Sequence, residues 1–187
     1  MPRALWLASF HLMFVTDAAR SALKLSPFAA GPVVASLVGV PAVKRAQRRW
    51  YLREKKPSFQ PPSWVFGPAW TSLYTLMTAS AHRVLRAPHS LHRTRALRWW
   101  WAQMALNAAW TPLFFGKQRK GRVVALADVA LLVGSIGAYL RSARKVDPKA
   151  GWMMVPYLGW TAFATLLTAE NLRLNPPGSR RFLPRPR

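Results

Sequence analysis

Long uncharged runs alternate with short clusters of cations along this chain. The first run extends from Pro27 to Val43 and is closed by Lys44, Arg45, Arg48 and Arg49. The second, Trp64 to Ala81, is closed by His82, Arg83 and Arg86. The third, Trp99 to Gly116, ends at Lys117, Arg119, Lys120 and Arg122. The fourth, Val123 to Leu140, holds one charge, Asp128, and ends at Arg141, Arg144 and Lys145. The fifth, Ala150 to Leu172, holds only Glu170 and ends at Arg173. Each run is 17 to 23 residues long. As helix that is roughly 26–35 Å, close to the hydrocarbon core of a bilayer. A soluble all-α basic protein needs helices with a polar face, and the first three runs have almost none. The pattern therefore predicts an all-α integral membrane protein, a bundle of five transmembrane helices. Its spans are expected at about 27–43, 64–81, 99–116, 123–140 and 150–172, within a membrane domain of residues 27–175.

The flanks read differently. Residues 1–26 place Ser9, Thr16, Arg20 and Lys24 on one helical face with apolar residues elsewhere. This predicts an interfacial amphipathic helix or a targeting segment. Residues 176–187 are rich in proline and arginine and read as a disordered tail.

Composition sharpens this picture. The chain has 187 residues, with 28 Lys and Arg against 5 Asp and Glu, a formal charge of +23. Such a charge alone suggests a polyanionic partner. Yet 51% of residues are hydrophobic and ten are Trp, which excludes a disordered basic chain. The mean hydropathy of +0.03 reflects the cationic loops diluting the apolar runs. Placed in loops, the cations read as anchors at lipid headgroups, and nucleic acid is not expected as a partner. The absence of Cys excludes a disulfide scaffold, a thiol enzyme and a Cys-based zinc site.

Trp64, Trp99, Trp100, Trp101 and Trp152 stand at run ends, the pattern of an interfacial belt. Small residues recur at a spacing of four: Gly31, Ala35 and Gly39; Ala105 and Ala109; Ala130, Gly134 and Ala138. Such stripes allow close helix approach, inside the bundle or in a homodimer. The loops that share a side with the C-terminus hold 16 cations against 12 on the other, a bias towards a cytosolic C-terminus.

Three segments concentrate chemistry. In the stretch from Lys56 to Trp70, Pro57, Pro61 and Pro62 stiffen the chain ahead of the second span, as a lid over the bundle mouth. Phe66, Trp70 and Tyr74 then share one helical face, and Pro68 is expected to break or kink the first turn. In the third run, Gln103 and Asn107 lie one turn apart, ahead of Trp110, and Pro112 is expected to kink or end the helix. Uncharged polar side chains at that depth face the interior, as interhelical glue or as ligand contacts. In the fifth, Trp160, Ala164 and Leu167 share a face, with Trp160 away from both interfaces. Asp128 and Glu170 have Arg122 and Arg173 as nearby ion-pair candidates. His82, His89 and His92 sit among arginines that oppose a cation, so no metal site is expected. No nucleotide-binding glycine loop, Ser-His-Asp set or zinc motif occurs, and no catalytic residue is assigned.

Together these segments resemble the translocator protein family, also known as tryptophan-rich sensory proteins or peripheral-type benzodiazepine receptors. The matching residues are Trp50-Tyr51, Lys56-Pro57-Ser58 and Pro61-Pro62-x-Trp64-Val65-Phe66-Gly67-Pro68-x-Trp70, then Leu73-Tyr74. They continue with Leu106-Asn107-x-Ala109-Trp110-x-Pro112-x-Phe114-Phe115-Gly116, Asp128, and Pro156-Tyr157-Leu158-x-Trp160-x2-Phe163-Ala164-Thr165.

The resemblance implies a pocket inside a five-helix membrane bundle, closed by the loop between helices 1 and 2. Its implied ligands are porphyrins such as heme or protoporphyrin, cholesterol or other sterols, and benzodiazepine-like drugs. Carried onto this chain, the pocket is Gly39, Val43, Phe66, Trp70, Tyr74, Asn107, Trp110, Trp160, Ala164 and Leu167, with Trp50, Pro57, Pro61 and Pro62 in the lid. The implied role is a receptor or transport-type protein that needs no cofactor. Trp-dependent oxidative breakdown of porphyrin and lipid transfer are the rivals. The implied location is the outer mitochondrial membrane of a eukaryotic cell, or another organelle or bacterial membrane. Two positions depart from the family pattern: Phe59 replaces a Trp, and Ala169 replaces the Tyr of the family's sterol motif.

Overall fold

The computed structural model describes residues 27–49, 51–116 and 118–176. The segment 1–26, Trp50, and the tail beyond Pro176 lie outside the described residues. Five long helices account for most of the rest: α1 (Ala30–Arg49), α2 (Ser63–Arg86), α3 (Leu91–Gly116), α4 (Gln118–Arg144) and α5 (Val155–Leu174). Short 3-10 turns at Pro27–Ala29 and Tyr51–Arg53 precede and follow α1, and a short helix, Pro148–Trp152, leads into α5. No strand occurs among the described residues.

The helices outrun the uncharged sequence that seeds them. Helix α3 begins at Leu91 because the Ser90 hydroxyl accepts from the amide of Arg93 at 3.1 Å, satisfying one of the orphan donors of a first turn. Asp147 does the same for the short helix, accepting from the amides of Lys149 (2.9 Å) and Ala150 (3.3 Å) while its other oxygen meets Arg83 Nε at 2.7 Å. Of the break or kink expected at Pro68 and the kink or end expected at Pro112, neither the break nor the end occurs: α2 and α3 run through them, as α1 does through Pro41. Pro68 lies in the second turn and Pro112 is the fifth residue from the end, so each lost hydrogen bond falls near a helix end.

Helix α4 folds back along α3 in the most extensive pairing of the bundle, with α1 laid on α3 and α5 on α4. The core runs through Met77, Ala81 and Val84 of α2, Trp100 and Met104 of α3, Leu132, Ile136 and Tyr139 of α4, and Tyr157 of α5. Trp64, Trp99, Trp101 and Trp152 are exposed, as belt residues are, but Trp100 is fully buried. Its indole Nε1 donates to the Met77 carbonyl at 3.1 Å, and the Phe28 ring meets it edge-on at 4.8 Å. That middle Trp points inward because adjacent helical residues diverge by about 100°.

The small-residue stripes serve two different faces. A Cβ at Gly31 would stand 3.0 Å from Trp100 Cη2, and one at Gly39 would stand 3.3 Å from the Thr111 side chain. The stripe on α1 thus brings α1 close to α3. On α4, Ala130 and Gly134 are exposed, and Gly134 has open space where a side chain would be. Among the described helices, Gly121–Arg144 is the one long and apolar enough on hydropathy alone to count as a span, at 2.1.

Candidate functional site

The face Phe66–Trp70–Tyr74 of α2 turns towards α5. Trp70 lies 5.1 Å from Tyr74, 6.3 Å from Tyr157 and 6.4 Å from Trp160, while Phe66 meets Trp160 edge-on at 5.8 Å. Phe163 extends the wall beside Trp160 at 5.9 Å and reaches the lid residue Phe59 at 6.2 Å. These are edge and tilted contacts, which leave ring faces available on a half-buried surface.

Asn107 ties this wall to α3. Its Oδ1 accepts from the Tyr74 hydroxyl at 3.1 Å, and its Nδ2 donates to the Tyr157 hydroxyl at 2.8 Å. Tyr157, absent from the residues expected to form the pocket, is fully buried and joins the aromatic wall to the polar link. It sits three residues before Trp160, so the helical period that selects Trp160 also selects Tyr157. Gln103, one turn before Asn107, is fully buried with neither amide atom bonded. Asp128 is buried as well, with Oδ2 unbonded, and Arg122 is found on Glu54 rather than serving as its expected ion-pair partner. Glu170 does pair with Arg173, at 2.6 Å.

Trp110 belongs to a second group. Its ring stacks on Phe114 at 5.2 Å with 20° between planes, and Phe115 lies 6.4 Å away. Phe115 in turn meets Tyr51 at 5.1 Å. The Trp110 Nε1 is buried and has no hydrogen-bond acceptor. Asn107, one turn earlier on α3, stands between the two groups. Gly39 packs on Thr111, the neighbour of Trp110. Val43, Ala164 and Leu167 are half-buried, and the described contacts add nothing to their assignment.

The lid is fastened from both sides. Glu54 pairs with Arg122 at the start of α4, whose side chain is fully buried. Asn175, past the end of α5, grips the Lys55 backbone twice: Oδ1 accepts from the amide at 3.2 Å and Nδ2 donates to the carbonyl at 2.9 Å. Lys56 folds over the Tyr51 ring and donates to the Tyr51 carbonyl. Burial brings the Lys56 ammonium down to about 8 and pushes the Tyr51 phenol up. Of the lid prolines, Pro57 is buried, Pro62 stands exposed at the head of α2, and Pro61 borders a cleft. That cleft, about 500 Å³, opens between α2 and α5, with Leu73, Leu76, Pro156, Trp160 and Phe163 among its walls. No cluster of His, Asp or Glu able to hold a metal occurs among the described residues.

Fold and site together define an all-α membrane bundle with an aromatic interior beneath a fastened loop. The chain belongs to the TspO/MBR family, whose sequence profile matches residues 27–173. It is 41% identical over 140 residues to a tryptophan-rich sensory protein of Cereibacter sphaeroides, covering 73% of this chain and 85% of that protein. It is 36% identical to the human translocator protein, covering 75% of this chain and 83% of the relative. Protein CrtK of Rhodobacter capsulatus is 38% identical, over 82% of this chain and 96% of its own length. The family is one of membrane proteins, and the five helices are its membrane bundle.

Proposed function

We propose that this protein binds a porphyrin-type tetrapyrrole inside the bundle, beneath the α1–α2 lid, as a membrane receptor or transport protein. The observation that supports this most is the aromatic wall of Phe66, Trp70, Tyr157 and Trp160 next to Asn107. A tetrapyrrole is a wide π surface with a few polar groups at its edge. An aromatic lining with a small number of placed polar groups is the surface such a molecule needs. The Trp110 indole N–H, buried without an acceptor, is one further donor for that edge. Relatives are named translocators and sensory proteins, and both roles begin with a binding step. The membrane proposed is the outer mitochondrial membrane in a eukaryotic cell, with another organelle or a bacterial membrane as the alternative.

A sterol is the second occupant, favoured by the apolar cleft between α2 and α5. Purifying the protein from its own membrane and reading its bound ligand by absorbance and mass separates the two. A tetrapyrrole in near one-to-one ratio supports the first reading. A sterol with no tetrapyrrole supports the second and overturns the first.

A further inference from the structure

Arg122 carries a guanidinium with no exposed surface, at the start of α4. Placing a charge there is costly unless an anion accompanies it, and Glu54 of the lid is that anion. The same guanidinium lies 5.4 Å from the centre of the Phe114 ring, and Phe114 is the ring on which Trp110 stacks. Trp110, Phe114, Arg122 and Glu54 therefore form a continuous line from the pocket to the lid. Phe114 and Arg122 are buried and Trp110 is half-buried, so a flat ligand would meet this line at Trp110 and reach Arg122 with its edge only as the lid shifts.

We propose that Glu54 is a built-in substitute for a ligand carboxylate: an acidic tetrapyrrole exchanges one of its carboxylates for Glu54 on Arg122, and the exchange releases the lid. This rests on the tetrapyrrole reading above and adds to it the group that recognises the acid edge. The exchange replaces one carboxylate by another, so the buried cation keeps a partner throughout. The second lid fastening, Asn175 on the Lys55 backbone, involves no charge and stays in place as the hinge. The cations of the lid are poorer candidates, since Lys55 is exposed and Lys56 is folded onto Tyr51. Glu54 is also the one carboxylate between α1 and α2 in a stretch crowded with cations.

The test titrates protoporphyrin and its dimethyl ester against the full-length protein and Glu54→Gln in detergent or nanodiscs. Removing the internal competitor should tighten the diacid about tenfold more than the ester, whose own change reports only the loosened lid; about tenfold is the scale of one close charge pair. An equal change in both ligands, or none in either, overturns the exchange. Asn175→Ala serves as the control for a merely loosened lid, and it should move both ligands alike. A second measurement needs no variant: carbodiimide labelling of Glu54, read by mass, should rise when the diacid binds and not when the ester binds. Unchanged labelling with bound diacid overturns the proposal. If neither ligand binds the unaltered protein, the tetrapyrrole reading itself falls and this inference falls with it.

Discussion

Asn107 on α3 donates its amide hydrogen to the Tyr157 hydroxyl on α5 at 2.8 Å, and its carbonyl takes the Tyr74 hydroxyl of α2 at 3.1 Å. One side chain thus couples three helices. A double-mutant cycle of Asn107→Ala with Tyr157→Phe should show a coupling of about 0.6–1.7 kcal/mol in unfolding measured in detergent. Additive effects would show that the bond carries no energy of its own.

The glycines of α1 and α4 make opposite predictions. Gly31→Ala puts a methyl 3.0 Å from Trp100, which is held by its bond to Met77 and by the Phe28 ring. It should destabilise the bundle by about 1–3 kcal/mol. Gly134→Ala enters open space and should be neutral in stability or raise it by up to about 1 kcal/mol through helix propensity. Thermal melts of the two variants side by side check this, and an equal loss at both positions would contradict the α1–α3 packing.

Much of this architecture is legible in the sequence, because membrane-length apolar runs and their cationic ends are one-dimensional signals. Phe66, Trp70 and Tyr74 are likewise found together because their spacing follows the helical period. What the runs do not carry is contact between segments distant in sequence. Glu54 and Arg122, and Lys55 and Asn175, meet only once the helices are assembled. The belt pattern assigns Trp100 to the interface because it sits between Trp99 and Trp101, yet its direction is set by helix phase. The helices continue past Pro68 and Pro112 for a related reason: both lie near helix ends, where a lost hydrogen bond is least disruptive.

Lys56 should be acylated at a lower pH than an ordinary lysine. With its ammonium brought down to about 8 by burial, half of it is neutral near that pH, whereas an ordinary lysine is neutral only near 10.5. Amine acylation followed by mass should reach half its maximal rate near pH 8 at Lys56, well below the 10.5 of an ordinary lysine. Between about 8 and 10.5 the unfolded chain holds a proton that the folded chain lacks, so this group's contribution to stability rises with pH across that window. Lys56→Gln should remove that part of the rise. A midpoint near 10.5 at Lys56 would contradict the burial of the ammonium.

The central claim is that the Trp-lined interior holds the tetrapyrrole. Its most direct test is a fluorescence titration of protoporphyrin into the unaltered protein and into the Trp110→Phe, Trp160→Phe double variant, after melts confirm that both are folded. Loss of two indoles from the pocket wall should weaken binding by about tenfold or more, on the scale of one or two aromatic contacts. An affinity unchanged in the double variant would place the ligand elsewhere and contradict the account.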